Sequence, residues 1–532
     1  MADPKWMPQT VKFDFFLRLI INTMNLGYHI AATLPEMQQE ILSRIDEVSL
    51  AVLRYTIHGT PVNYENFKND KPIYTNGIKF FEWFRSIGFK PSIFKIGAHG
   101  NRDIIRFAIS NNIIDDLCSG IAYSGRLKLL KLAKKSGCKW NEKTCAAAAK
   151  GGHIDVLKYL RTAGCLWNAS TCISAIEEGH LDILIWAMAA GCPQDTYICS
   201  VAARRGRLDM LEYARSQGCP WDKWTCSAAA RNGHLDVLKW ARKNNCPWDA
   251  SVCAEAAAGG HLDLLKWARS SGCPWDASAC AEAAFSGHLA ILQWLRSSGF
   301  SDASENVCPW NELVCSRAAT CGHLDILKWA RLPENRCPWD ATVCAEAAVN
   351  CQWDILRWLR SPDESGEVCP WDEDTFGAIA YWGELEILQW ARSQHCPWNE
   401  ETCTAAVEGG QLAVLQWLHD QGCPWNEDVC SVAAGHGRLD IIQYAKTNNC
   451  PWDEHTCFNA ASIGRLDILV WARDQGCPWD SSTCIGAIQS NNLEMLQWAL
   501  SQGCPWPTEL WGVNFHKRVA ILEWTRQNGY LS

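Results

Sequence analysis

Two residue types stand at spacings that could support chemistry. The chain has 29 cysteines among 532 residues. Fourteen open a repeated unit: Cys138, Cys165, Cys192, Cys219, Cys246, Cys273, Cys308, Cys337, Cys369, Cys396, Cys423, Cys450, Cys477 and Cys504. Twelve more follow seven residues after an opening cysteine, from Cys145 to Cys484. His153, His180, His234, His261, His288 and His323 recur at a third fixed place. Thiolates beside imidazoles can ligate zinc or attack electrophiles, and thiols can pair as disulfides. The spacing argues against all three. Zinc sites use Cys-x2–4-Cys pairs and four converging ligands, whereas these cysteines stack along a repeat. Phe376 and Trp511 replace the second cysteine in two copies, and a bulky apolar replacement marks a packing position that cysteine fills as a small hydrophobe. Histidines repeated at one place argue for a turn role. No Gly-rich phosphate loop, nucleophile elbow or His-Glu-x-x-His motif is present. The chain is therefore expected to be no enzyme and to hold no cofactor and no metal.

The element that positions these residues is a 27-residue unit, clearest as Cys-Pro-Trp-Asp-x-x-x-Cys-x-x-Ala-Ala-x-x-Gly-His-Leu-Asp-x-Leu-x-Trp-Ala-Arg-x-x-Gly. Ten of the thirteen intervals between opening cysteines are 27 residues, and three consecutive ones are 35, 29 and 32. A fixed period of this size marks stacked units that close their core only against neighbours. In the copy at 246–272, Ser251–Ala257 reads as a short helix of small residues. Gly259-Gly260-His261 reads as a turn, and Leu262–Arg269 as a second helix burying Leu264, Leu265 and Ala268. Gly272 and Pro274 end it. Thirteen of fourteen copies carry Trp two residues after the opening cysteine, with Gln194 the exception, and a second aromatic lies in the second helix. These rings predict a structural ladder between repeats; an aromatic track for bases or sugars is the alternative.

The formal charge of −9 is mild for this length, and no basic stripe interrupts it. Nucleic acid is not expected as a partner on that ground. The apolar stretch at 11–30 is broken by Lys12, Asp14, Arg18 and Asn22, so neither a signal core nor a membrane span is expected. Reduced thiols predict an intracellular protein, cytoplasmic or nuclear. A monomer is expected.

The long intervals gain residues before the next Cys-Pro-Trp, at 299–307, 332–336 and 361–368. Three adjacent acidic fingers there could dock a partner protein, such as a basic one, through Asp302, Glu305, Glu334, Asp363, Glu364 and Glu367. Neutral loop insertion is the alternative. Trp353 and Trp382 replace turn-region residues nearby, as exposed anchors or as core filling.

The pieces Ala229-Ala230-Arg231-Asn232-Gly233-His234-Leu235 and the closing glycine resemble ankyrin repeats. The unit is about six residues shorter than the ankyrin one of roughly 33, and its Cys-Pro-Trp type resembles the large ankyrin families of giant DNA viruses and some protists. The resemblance implies an all-α, ankyrin-like helix–turn–helix solenoid with a small helical N-terminal domain and a protein partner on the repeat surface. The division reads as 1–75 helical N-terminal region, 76–137 degenerate repeats, 138–510 array and 511–532 capping repeat. Within 34–56, Leu34-Pro35 and Glu40-Ile41-Leu42 followed by Leu50-x-x-Leu53-Arg54 resemble an F-box. That resemblance implies docking on the Skp-type adaptor of a cullin–RING ubiquitin ligase through Leu34, Pro35, Ile41, Leu42, Ile45 and Leu53. The gap before Glu-Ile-Leu is one residue short and the Cys-x-x-Trp tail is absent, so a helical cap on a plain ankyrin scaffold stands beside it.

Overall fold

The structure is a computed structural model. It describes residues 98, 105–106, 108, 116–297, 307–363, 366–507 and 518–530. Leu34, Pro35, Ile41, Leu42, Ile45 and Leu53, like Asp302, Glu305 and Glu364, lie outside the described residues. The described residues form 29 helices and no strand, an all-α repeat solenoid. They fall into two compact units: 1–198 with 212–219, and 199–211 with 220–532.

Each repeat is a helical hairpin whose boundaries are written in its residues. Counting the opening cysteine as position 1, the acid or amide at position 4 starts the first helix. In the helix Ala277–Phe285, Asp276 is extended at φ −142° and its carboxylate accepts from the Ser278 N–H. Asn168, Asp222, Asp340, Asp372, Asn399, Asp453 and Asp480 cap their helices in the same way. The Asp of Cys-Pro-Trp-Asp is thus an N-cap, contributing about 1 kcal/mol per helix. The first helix ends at a glycine in the left-handed region. Gly260 has φ +80°, and a Cβ there would lie 2.9 Å from the His288 ring of the next repeat, so both backbone and space require glycine.

The second helix supplies the leucine side of the core. In Leu262–Ser270, Leu264, Leu265 and Ala268 are buried; in the first unit, Val156, Leu157 and Leu160 of Ile154–Thr162 do the same. First helices give cysteine and alanine: Cys253, Ala256 and Ala257 are fully buried. Each fully buried leucine contributes about 1.5–3 kcal/mol, and small first-helix residues let adjacent hairpins approach. Gly272 at φ +81° closes the second helix. Asn245, His395 and Asn449 occupy the equivalent place at φ +62°, a region asparagine tolerates better than histidine. Among the described residues no helix is long and apolar enough to cross a membrane.

Candidate functional site

The cysteines are closed by packing. All 29 are unbridged, and nearly all are buried. Each opening thiol from Cys165 onward donates to the carbonyl of the preceding repeat's position-4 residue, as in Cys273 Sγ to Asp249 O at 3.4 Å and Cys477 Sγ to Asp453 O at 3.4 Å. It also meets the second cysteine of that repeat, as Cys484 and Cys504 do with sulfurs 3.5 Å apart. The hydrogen bond with Cys253, then burial, pushes the Cys273 thiol above its ordinary range. Cys396 follows the repeat in which Phe376 replaces the second cysteine, and burial, then the charges of Cys344, Asp372 and Glu373, raises it. Buried thiols bonded to a neighbouring sulfur or carbonyl are structural and inert. Among the described residues no three His, Cys, Asp or Glu converge on a common point.

The histidines are joints. His234 Nε2 lies 3.1 Å from Arg204 O, His261 Nε2 3.2 Å from Arg231 O, and His323 Nε2 3.2 Å from Phe285 O. Each ring thus engages an orphan carbonyl at the end of the preceding first helix. Gln411 makes the same bond to Tyr381 O, whereas Arg438, Arg465 and Asn492 reach the turn glycine two residues further on, at Gly410 O, Gly437 O and Gly464 O. His and Gln thus interchange at the helix-end carbonyl, and Arg and Asn join the repeats through the turn. Glu384 occupies this place in the repeat at 369–395 and, ionised, cannot donate. The Trp382 indole N–H does so instead, reaching Val349 O at 2.9 Å.

The aromatic ladder differs from the sequence expectation. Rings pair within a repeat: Trp248 with Trp267 at 6.1 Å and Trp275 with Trp294 at 6.0 Å, both edge-to-face. Cations make the link between repeats. Arg242 lies 4.1 Å over Trp248 and hydrogen-bonds Cys246 O, and Arg269 lies 4.2 Å over Trp275 and donates to Cys273 O at 3.1 Å. One guanidinium thus closes a helix end and stacks on the next repeat's tryptophan. The basic residue at position 24, before most of the Cys-Pro-Trp segments, was missed in the sequence, although one signal was present: where Gln194 replaces the tryptophan, Met188 replaces the arginine. His419 stacks on Trp425 at 4.4 Å in the same role, and Tyr530 stacks on Trp506 at 4.9 Å.

Of the finger residues, Asp363, Glu367 and Glu334 are described. Asp363 turns inward: Arg331 Nη2 lies 2.7 Å from Asp363 Oδ2 and 2.5 Å from Glu367 Oε2, with the Arg331 and Asp363 side chains 6% and 3% exposed. Burial opposes the Arg331 charge, but the hydrogen bonds to Asp363 and Glu367 outweigh it and keep its pKa raised. Glu334 is exposed. Trp353 takes the leucine place that starts a second helix and is half-buried.

Trp382 instead borders an open groove of about 590 Å³ between the first helices Glu373–Trp382 and Glu400–Glu408. Tyr381 and Trp382 form one wall, 41% and 46% exposed, their rings edge-to-face at 5.4 Å. Gly377, Ala378 and Ala405 floor it, and Glu373, Asp374, Glu401, Glu408 and Asp428 line it. Both position-10 residues are small here, Ala378 and Ala405, where Glu255, Glu282, Arg317 and Glu346 stand in the four preceding repeats.

No family model matches the sequence, and no curated protein does. Among solved structures, the chain is similar to the pentatricopeptide repeat protein PPR10 in complex with an 18-nt psaJ RNA element, at 12% identity and a TM-score of 0.33, over 92% of this chain and 79% of that one. It is also similar to PPR10 from maize, at 12% identity and a TM-score of 0.28, over 97% and 93%. These values assign no ligand to this chain. They do correct the expectation that nucleic acid is excluded, because a helical-repeat protein bound to RNA stands among the similar structures. Helical repeats read single-stranded bases with a few side chains per repeat, so a mild acidic charge without a basic stripe does not exclude that partner.

Proposed function

We propose that this chain is an ankyrin-type binding scaffold, not a catalyst, that captures a partner protein on its first-helix surface around residues 373–428. One observation carries this reading. Three preceding pairs of neighbouring repeats close this face across positions 13 and 10, as in Arg231–Glu255 at 2.8 Å, whereas the groove leaves two aromatic rings and a set of carboxylates open. Buried aromatic anchors dominate interface energetics. The Gly-His turn and the neighbour-capping histidines support the ankyrin assignment.

In the finer form of this reading, the captured protein is a ubiquitylation substrate. Leu34, Pro35, Ile41, Leu42, Ile45 and Leu53 would dock as helix on a Skp-type adaptor of a cullin–RING ligase. The test is retention of purified Skp-type adaptor by the intact chain and by the Leu34→Ala/Pro35→Ala/Ile41→Ala variant, with helicity checked by circular dichroism. Retention lost in the variant supports the ligase link. No retention by either leaves an ankyrin scaffold without ubiquitin chemistry.

A further inference from the structure

We propose that the groove takes a cationic segment of the partner, with an arginine or lysine seated against Tyr381 and Trp382 and held by Glu373, Asp374, Glu401 and Glu408. The inference rests on the protein-capture reading above and names the chemistry that the captured chain must bring.

Charge is the first ground. Five carboxylates line the groove and no lysine, arginine or histidine does. Among the described residues no ion pair engages Glu373, Asp374, Glu401 or Glu408.

The second ground is how three other pairs of neighbouring repeats treat the same two places. Position 13 of one repeat meets position 10 of the next. Phe285 at position 13 lies under Arg317 at position 10, 5.4 Å from ring to guanidinium. Arg231 pairs with Glu255 there, and Thr320 donates to Glu346 at 3.1 Å. Tyr381 is at position 13 too, and the facing position holds Ala405. The chain supplies the cation for Phe285 and supplies none for Tyr381. An aromatic face flanked by carboxylates selects a guanidinium or ammonium group, the combination that Arg242 and Trp248 already make inside the array.

Preorganisation is the third ground. The Trp382 indole is tethered to Val349 O, and Gln411 Nε2 holds the Tyr381 and Trp382 carbonyls at 3.4 Å. The aromatic wall is fixed before a ligand arrives, which lowers the ordering cost of binding. The floor of Gly377, Ala378 and Ala405 leaves depth for a long side chain.

The test titrates the full-length protein against a fluorescein-labelled octapeptide of alternating glycine and arginine, read by anisotropy at low and high salt. The groove variant is Asp374→Asn/Glu401→Gln/Glu408→Gln, which keeps side-chain shape. The control is Asp236→Asn/Asp263→Asn/Asp325→Asn, which removes the same charge from exposed positions on second helices. Expected is a loss of affinity of about tenfold or more in the groove variant and under about twofold in the control, with Tyr381→Ala weakening binding separately. Equal losses in groove variant and control would overturn the site and leave the capture reading standing, as would equal affinity for a glycine–glutamate peptide or no binding of the arginine peptide. Competition by an oligouridylate of the same length, lost with Tyr381→Ala, would make the groove a nucleic-acid site and overturn both.

Discussion

The repeats at 246–272 and 369–395 are built on one plan and differ in what they leave open. In the first, His261 engages the preceding carbonyl, Glu255 pairs with Arg231, and the rings of Trp248 and Trp267 are covered by Arg242 and Lys239. In the second, the turn donor has become Glu384, the core cysteine Phe376 and the surface acid Ala378. Phe376 is fully buried and meets Trp398 edge-to-face at 5.6 Å, so the core stays closed while the surface opens. Where every joint is satisfied by a neighbour, a repeat is scaffold. Where one neighbour withholds its side chain, a site appears.

The largest expected effect contrasts two arginines at equivalent places. Arg331→Met removes the cation paired with the buried Asp363 carboxylate and should lower unfolding free energy by about 3–5 kcal/mol. Arg242→Met, which loses a stacked ring and a carbonyl contact, should cost about 1–3 kcal/mol. Urea unfolding of both variants checks this, and equal losses would show that the insert carboxylate is not held as described. Next is the moved donor. Trp382→Phe should cost about 1–3 kcal/mol by orphaning Val349 O, and adding Glu384→His should recover most of that; no recovery would break the equivalence of the two joints. A smaller contrast follows at the regular joint, where thermal melts should show His261→Ala losing about 0.5–1.5 kcal/mol and His261→Gln almost nothing.

The smallest effect is a pH dependence. The hydrogen bond and charge of Asp453 raise the His455 pKa above its ordinary 6.5. The protonated form is favoured in the folded chain, so this contribution is fully present below about pH 6.5 and is lost as pH rises through the folded value. A chemical-shift titration of His455 should place its midpoint above the unfolded one, and Asp453→Asn should remove the difference.

Period, hairpin and core were legible because they rest on spacing alone: Leu264, Leu265 and Ala268 face inward from local helical geometry. The roles of the cysteines and histidines were legible in kind, since a residue required in every copy holds copies together. What stayed hidden depends on partners a whole repeat away. Whether Asp363 faces solvent is decided by Arg331, 32 residues earlier. Whether Trp382 is a free anchor or a tethered one is decided by Glu384 failing to donate. The groove lies where Ala405 omits a cation, and an omission is visible only after the pairing rule between positions 13 and 10 is known.

The substituted donors have one more consequence, for how the chain finds its own order. A string of near-identical hairpins can in principle dock one unit too far, and such misassembly is the characteristic failure of repeat proteins. Interchangeable joints do nothing to prevent it: a His or Gln would satisfy the same helix-end carbonyl from any copy. The Trp382–Glu384 joint is not interchangeable, because a hairpin carrying Glu384 without Trp382 leaves a carbonyl bare. The paired loss at Met188 and Gln194, and Phe376 where others carry cysteine, are marks of the same sort. Spaced along an otherwise uniform array, they work as addresses that tell each hairpin which neighbour is its own.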